Sequence, residues 1–261
     1  MKYGNRRLPR ETRQETRKVR EIPTVVLMPG LICDGQFWTA RAALEQLAPA
    51  RLQVRVADFS RLSSIGAMAD KVVGETAGPI VAIGHSMGGR VALEVLRRAP
   101  ERVVGLALLN TGIHTLRDGE EAKRAELVRL AYEQGMAALA DRWVPPMVDP
   151  RRKDDAALLA PMKQMVMRAT PEQHERQIRA LLDRPDPRDL LPRIACPTLV
   201  MVGRQDQWSP VAQHEEIAAL IPGAKLVIIE DAGHMSQMER PEETTAALVQ
   251  WLREAVLQQE C

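Results

Sequence analysis

Ile80-Val81-Ala82-Ile83-Gly84-His85-Ser86-Met87-Gly88-Gly89-Arg90-Val91-Ala92-Leu93 is the stretch on which the fold is decided. Its first half is a run of small and β-branched apolar residues, which reads as a strand buried on both faces. Its second half, continued by Glu94-Val95-Leu96, carries apolar residues at helical spacing. A strand that reverses into a helix within so few residues needs a strained turn with small neighbours, and Ser86 stands at its apex between Gly84 and Gly88. The helix N-terminus beneath would offer free N–H groups and a partial positive charge to a developing oxyanion. The competing reading is a glycine-rich phosphate cradle, but the P-loop lysine is absent and no G-x-G-x-x-G stands here. The stretch therefore predicts a serine nucleophile.

The chain around it repeats the same alternation. Residues 24–28, 52–57, 103–109, 198–202 and 225–229 are further short apolar runs, and helical patterns separate them over 65–76, 211–220 and 241–257. One more helix is expected to include Phe37, Trp38, Ala42, Leu44 and Leu47, with Asp34 as its cap. Strands alternating with helices predict an α/β fold, with a mostly or wholly parallel sheet of about six strands covered on both faces. The rhythm breaks after Thr111. Residues 114–187 show only helical pieces, over 120–142, 153–168 and 171–182, where Thr170 caps and Pro171 fits the first turn. The expected organisation is a charged tail over 1–22, a core of 23–113 and 188–261, and a helical lid over 114–187.

Composition narrows the function classes. The 261 residues suffice for one sizeable α/β domain with an insertion. A net charge of +2 and only 3% aromatic residues offer neither the field nor the stacking platforms of a nucleic-acid binder. Cys33, Cys196 and Cys261 form neither a disulfide framework nor a metal site, and free thiols suit a reducing compartment. No apolar run is long enough to span a bilayer, and the N-terminal segment has no apolar leader. These features predict a soluble, cytoplasmic protein acting on a small molecule, without metal, membrane or nucleic-acid partner. Oligomeric state is not encoded in any motif.

A serine hydroxyl is a poor nucleophile at neutral pH and needs a base, which in turn needs a partner to fix its tautomer. In a parallel sheet the loops at the carboxyl ends of the strands converge on one edge. Ser86, Asp206 and His234 each follow an apolar run, so all three are expected at that edge, with His234 as base and Asp206 orienting it. Asp231 is too close in sequence to His234 to face its ring and reads as a turn residue, and Asn110 cannot serve as the acid. His85 is expected to pack beneath the turn, and His114, His174 and His214 to be structural. Backbone N–H groups of Met87 and Leu31 are the expected oxyanion donors. Ile32, Trp143, Met162, Trp208 and Met235 are the expected pocket wall, with methionine supplying an adaptable apolar surface.

Gly84-His85-Ser86-Met87-Gly88-Gly89, Gly203-Arg204-Gln205-Asp206 and Ala232-Gly233-His234 resemble the α/β-hydrolase superfamily, in its small, lidded, serine esterase-like branch. The likeness covers about residues 23–257, and the chain order Ser, Asp, His is that of the fold. Two features depart from the family: no antiparallel strand pair precedes residue 24, and Pro29-Gly30 stands where His-Gly is commoner. The resemblance implies a cofactor-free serine hydrolase cleaving esters of small apolar acids or alcohols. On the same triad it also allows a carbon–carbon bond hydrolase, an enol-lactonase, a lyase or synthase of the menaquinone-pathway type, an acyltransferase or a cofactor-free haloperoxidase. Dehalogenase and epoxide hydrolase relatives carry Asp where Ser86 stands. A ligand receptor with a residual hydrolase site is the alternative from another class.

Overall fold

The computed structural model describes residues 22–47 and 51–257. The charged tail, apart from Ile22, and Cys261 lie outside the described residues. Six strands are present: β1 (Thr24–Met28), β2 (Gln53–Val56), β3 (Ile80–His85), β4 (Val103–Leu109), β5 (Thr198–Gly203) and β6 (Lys225–Ile229). They form one sheet in the order β2-β1-β3-β4-β5-β6, and every neighbouring pair is parallel. β1, β3 and β5 are buried at every residue, whereas the edge strands β2 and β6 open on an exposed residue and run half-buried. That difference is why the central strands are written in continuous apolar residues while Gln53, Arg55 and Lys225 are tolerated at the edges.

Nine α-helices accompany the sheet among the described residues: α1 (Arg41–Leu47), α2 (Ile65–Glu75), α3 (Met87–Arg98), α4 (Glu120–Trp143), α5 (Ala156–Met167), α6 (Pro171–Leu182), α7 (Val211–Leu220), α8 (Ser236–Glu239) and α9 (Pro241–Leu252). The helices α4 to α6 fall between β4 and β5, and the segment 114–187 contains no strand. Gly135, with φ +83°, kinks α4 in its second half. Thr170 caps α6 by accepting from the Gln173 N–H, with Pro171 in the first turn.

Three helices depart from their expected spans. Residues 35–47 do not form one helix: Gly35–Phe37 is a 3-10 turn, capped by Asp34, and α1 starts only at Arg41. Phe37 and Trp38 are both buried, and adjacent residues of one helix point about 100° apart, so the chain unwinds to bury both. The helix expected from residue 153 starts at Ala156, because Pro150–Arg152 is a separate 3-10 turn and Asp155 caps α5. The last helix ends at Leu252 and passes into a π-turn, Arg253–Leu257, which carries Val256 into the core.

The tightest packing lies where β1, β3 and α3 meet. A Cβ on Gly84 would stand 2.1 Å from the Gly88 carbonyl oxygen, and one on Gly88 would stand 2.0 Å from the Met28 carbonyl oxygen. Backbone meets backbone at both places, so no side chain can yield. Gly88→Ala is expected to cost about 2 kcal/mol of stability, read as a lower urea midpoint; an unchanged midpoint would contradict the close approach.

His85, His174 and His214 are buried. Desolvation holds their imidazoles neutral, pulling His85 from 6.5 down to about 3, and His174 and His214 to about 4. In the unfolded chain each would protonate near its ordinary value, so below about pH 6.5 the unfolded state binds protons that the folded state refuses. Stability is therefore complete above that pH and falls as the pH drops toward 4, by on the order of 1 kcal/mol per pH unit for each imidazole. Denaturant titrations between pH 8 and 4.5 should show this slope. His174→Phe should make it shallower by about a third, since neither ring nitrogen of His174 has a partner.

Candidate active site

The backbone strain of the fold collects at one edge of the sheet. Every non-glycine residue with positive φ among the described residues, Ile32 (46°), Ser86 (52°), Asn110 (46°) and Asp231 (53°), lies just past the carboxyl end of a strand. Ser86 joins β3 directly to α3 with φ 52° and ψ −114°. Its N–H donates to the Leu109 carbonyl at 2.9 Å, and its carbonyl accepts from the Thr111 hydroxyl at 2.7 Å. The turn is thus held from β4 as well as by the glycines beneath it.

The loops after β5 and β6 bring two further side chains to Ser86. His234 Nε2 lies 2.9 Å from Ser86 Oγ, and His234 Nδ1 lies 2.9 Å from Asp206 Oδ2. Asp206 and His234 are buried. Asp206 Oδ1 accepts the Trp208 and Ser209 N–H groups at 2.8 and 2.9 Å, while Oδ2 also accepts from Asn110 Nδ2 at 3.0 Å. Burial alone would raise the Asp206 carboxyl; the adjoining His234 and these donors outweigh it and hold the group below the ordinary carboxylate range. Nδ1 of His234 therefore carries the proton, which leaves Nε2 as an acceptor facing the Ser86 hydroxyl.

Several further residues fix this arrangement, and of these Asn110 and Glu239 carry no sequence signal for that role. Asn110 also donates to the Gly233 carbonyl at 3.1 Å, and its Oδ1 accepts from the Ser236 hydroxyl at 2.7 Å. His85 lies under the turn and donates through Nε2 to the His234 carbonyl at 2.9 Å, with Phe37 packed on its ring at 4.2 Å. Glu239 accepts the Gly233 and Asp149 N–H groups, each at 2.8 Å, and the His234 N–H donates to the Met147 carbonyl at 2.7 Å. His214 accepts the Thr111 N–H at 2.9 Å, tying α7 to the end of β4. Asp231 is a turn residue paired with Arg151 and Arg240.

A cavity of about 470 Å³ opens over Ser86, a size suited to a small ligand. Leu31, Met87, Trp143, Met147, Trp208 and Met235 line it. The N–H groups of Leu31 and Met87 donate to no group among the described residues. The neighbouring Ile32 N–H does not share that freedom, being bound to Gln177 Oε1 from α6 at 2.7 Å. Trp208 stacks on His234 with centroids 5.9 Å apart, meets Trp143 edge-on at 5.9 Å, and donates through Nε1 to the Pro146 carbonyl.

Two of the expected pocket residues lie elsewhere. Ile32, twisted away by its positive φ and its bond to Gln177, lines a separate cavity with Phe59 and Met165. Met162 is fully buried among the helices that follow β4 and does not reach the Ser86 cavity; Met147 does. Cys33 also lines that cavity, but burial, with Asp34 beside it, pushes its thiol up to about 12, so it offers no thiolate. No group of His, Cys, Asp and Glu suited to holding a metal ion occurs among the described residues.

Comparison with known proteins agrees with this fold. A model of the alpha/beta hydrolase family matches residues 25–248. The pimeloyl-[acyl-carrier protein] methyl ester esterase of Aromatoleum aromaticum is 27% identical over 240 residues, covering 85% of this chain and 94% of that protein. A thermophilic esterase from Thermogutta terrifontis has a TM-score of 0.77 at 31% identity, covering 90% of this chain and 91% of that one. The enol-lactonase from Burkholderia xenovorans has a TM-score of 0.77 at 25% identity, covering 89% and 92%. With its parallel sheet, its strained serine turn and a family match across most of its length, the chain belongs to the alpha/beta hydrolase family and is a hydrolase.

Proposed function

We propose that the chain is a cofactor-free serine esterase in which Ser86, His234 and Asp206 work as a catalytic triad. The observation that carries this reading is the unbroken chain of two 2.9 Å contacts from Ser86 Oγ through His234 to Asp206. Ser86 attacks the ester carbonyl as His234 Nε2 takes its proton, and Asp206 stabilises the resulting imidazolium. The Leu31 and Met87 N–H groups hold the oxyanion. His234 passes the proton to the leaving alkoxide, which departs as alcohol and leaves an acyl-Ser86 ester. Water then attacks that ester, giving its proton to His234; collapse releases the acid and returns the proton to Ser86 Oγ.

The helices over 114–187 act in this reading as a lid whose Trp143 and Met147 close the substrate cavity. Names of the relatives, a methyl ester esterase among them, favour ester bonds, and a lactone is the cyclic case of the same acyl transfer. The free thiols of Cys33 and Cys196 support a reducing, cytoplasmic setting.

Purified protein should hydrolyse short p-nitrophenyl esters, and Ser86→Ala should lower kcat by at least about a thousandfold with an unchanged melting temperature. Undiminished turnover in that variant would overturn the reading. Asp206→Asn should lower kcat by about 10⁴-fold, because an amide at that position favours the wrong imidazole tautomer. A panel of acyl esters and lactones, each read against Ser86→Ala, then ranks the substrate classes.

A further inference from the structure

Between Met87 and Leu96, α3 buries every residue except Arg90. Arg90 stands one turn beyond Ser86, about 6 Å along the helix axis, and lines the same cavity. Its Nη1 is shut off from solvent and has no hydrogen-bond partner. No hydrogen bond or ion pair joins Arg90 to any group among the described residues. A guanidinium nitrogen shut off from water without a hydrogen-bond partner is costly, and such a group calls for a role.

The surroundings of Arg90 sharpen the question. Arg117, Lys123, Arg124 and Arg184 line the same cavity, against the carboxylates of Asp118 and Glu120 alone. Glu120 is already engaged: Arg184 binds both its oxygens, at 2.9 and 2.6 Å, and Arg124 donates to Oε1 at 2.8 Å. Asp118 is exposed. Desolvation, with Arg184 next, pulls the Arg90 guanidinium down to about 9, which leaves it charged at neutral pH. The cavity lining is therefore of two kinds. Trp143, Trp208 and Met235 give it an apolar surface, the two indoles beside His234, and Arg90, close to Gly112 and with Arg184 in the same lining, gives it a cationic one.

We propose that the ester cleaved at Ser86 carries a second, free carboxylate, and that Arg90 is the specificity residue that receives it. The substrate class is the half-ester of a short aliphatic dicarboxylic acid: the ester carbonyl at Ser86, the methylenes along the apolar wall, the carboxylate on the unpartnered guanidinium. Planar guanidinium and carboxylate match in a two-point contact. This proposal rests on the esterase reading of Ser86, and a measurement of binding separates the two.

The test compares monomethyl glutarate with methyl pentanoate, its neutral counterpart of equal chain length. Wild-type kcat/KM should favour the charged ester, and Arg90→Met should cut that preference by about tenfold to a hundredfold; Arg90→Lys should restore part of it. Calorimetric titration of monomethyl glutarate into Ser86→Ala should show saturable binding, abolished in the Ser86→Ala, Arg90→Met double variant. Equal rates for the two esters in the wild type, or binding that survives loss of Arg90, overturns the proposal. Binding that depends on Arg90, with no turnover of either ester by the wild type, upholds the carboxylate site and sinks the esterase reading instead.

Discussion

The approach of the Gly88 backbone to the Met28 carbonyl is the constraint on which the rest depends. Only a residue without a Cβ lets the first turn of α3 lie against the end of β1, as the 2.0 Å separation of an added Cβ shows. With α3 that close, the link from β3 has a single residue in which to reverse, and Ser86 absorbs the whole change at φ 52°. Such a conformation costs about 1–3 kcal/mol and persists only where its surroundings over-determine it. Here they do: β4 grips Ser86 through Leu109 and Thr111, and the glycines leave no room for relaxation. The strain has a direct chemical outcome. It lifts the hydroxyl clear of the sheet and keeps the Met87 N–H beside it unengaged.

How much of this was legible depends on whether a feature is written locally. Continuous apolar runs ending at His85, Gly203 and Ile229 betray strands, and a parallel sheet puts everything that follows them on one edge, so Ser86, Asp206 and His234 could be placed together from sequence. The same logic put the loop after β1, with its unengaged Leu31 N–H, at that edge. It could not find Asn110, whose amide bridges Asp206 to Gly233 across more than 90 residues of chain, because nothing local marks an asparagine at a strand end as a holder of a distant carboxylate. Nor could it separate Met147 from Met162. Both sit in methionine-rich helical sequence, and only tertiary packing decides that one faces the cavity and the other the interior of the insertion. Ile32 failed as a pocket residue for a related reason: a β-branched side chain at φ 46° is a conformation that propensity alone would never assign.

The segment between β4 and β5 does more than line the cavity. Gln177 from α6 takes up the Ile32 N–H and thereby selects which amide of the β1 loop stays available. At the other end, Met147 accepts the His234 N–H, and the Asp149 N–H shares the Glu239 carboxylate with Gly233. Desolvation raises the Glu239 carboxyl, while the two amides work against that rise. The insertion is thus bonded to the histidine loop by one backbone pair, His234 N–H to the Met147 carbonyl, that side-chain substitution cannot remove, and by the Glu239 carboxylate that the two segments share.

That attachment limits how the insertion can move. Displacing residues 147–149 would strip the His234 N–H of its partner and leave Glu239 buried with one donor fewer, a loss of two hydrogen bonds in a region closed to water. The opposite end carries no such bonds to the histidine loop and holds both positive-φ glycines of the insertion, Gly119 and Gly135. Neither glycine has a neighbour within 4 Å of an added Cβ, so neither is packed against another element at that point. Any opening that preserves the geometry at His234 must therefore leave residues 147–149 in place, while Arg184 ties Glu120 and the backbone of His114 and Thr115 to the end of α6. The start of α4 carries Glu120, Lys123 and Arg124 into the cavity lining, so a displacement there would alter the charge of the cavity together with its shape.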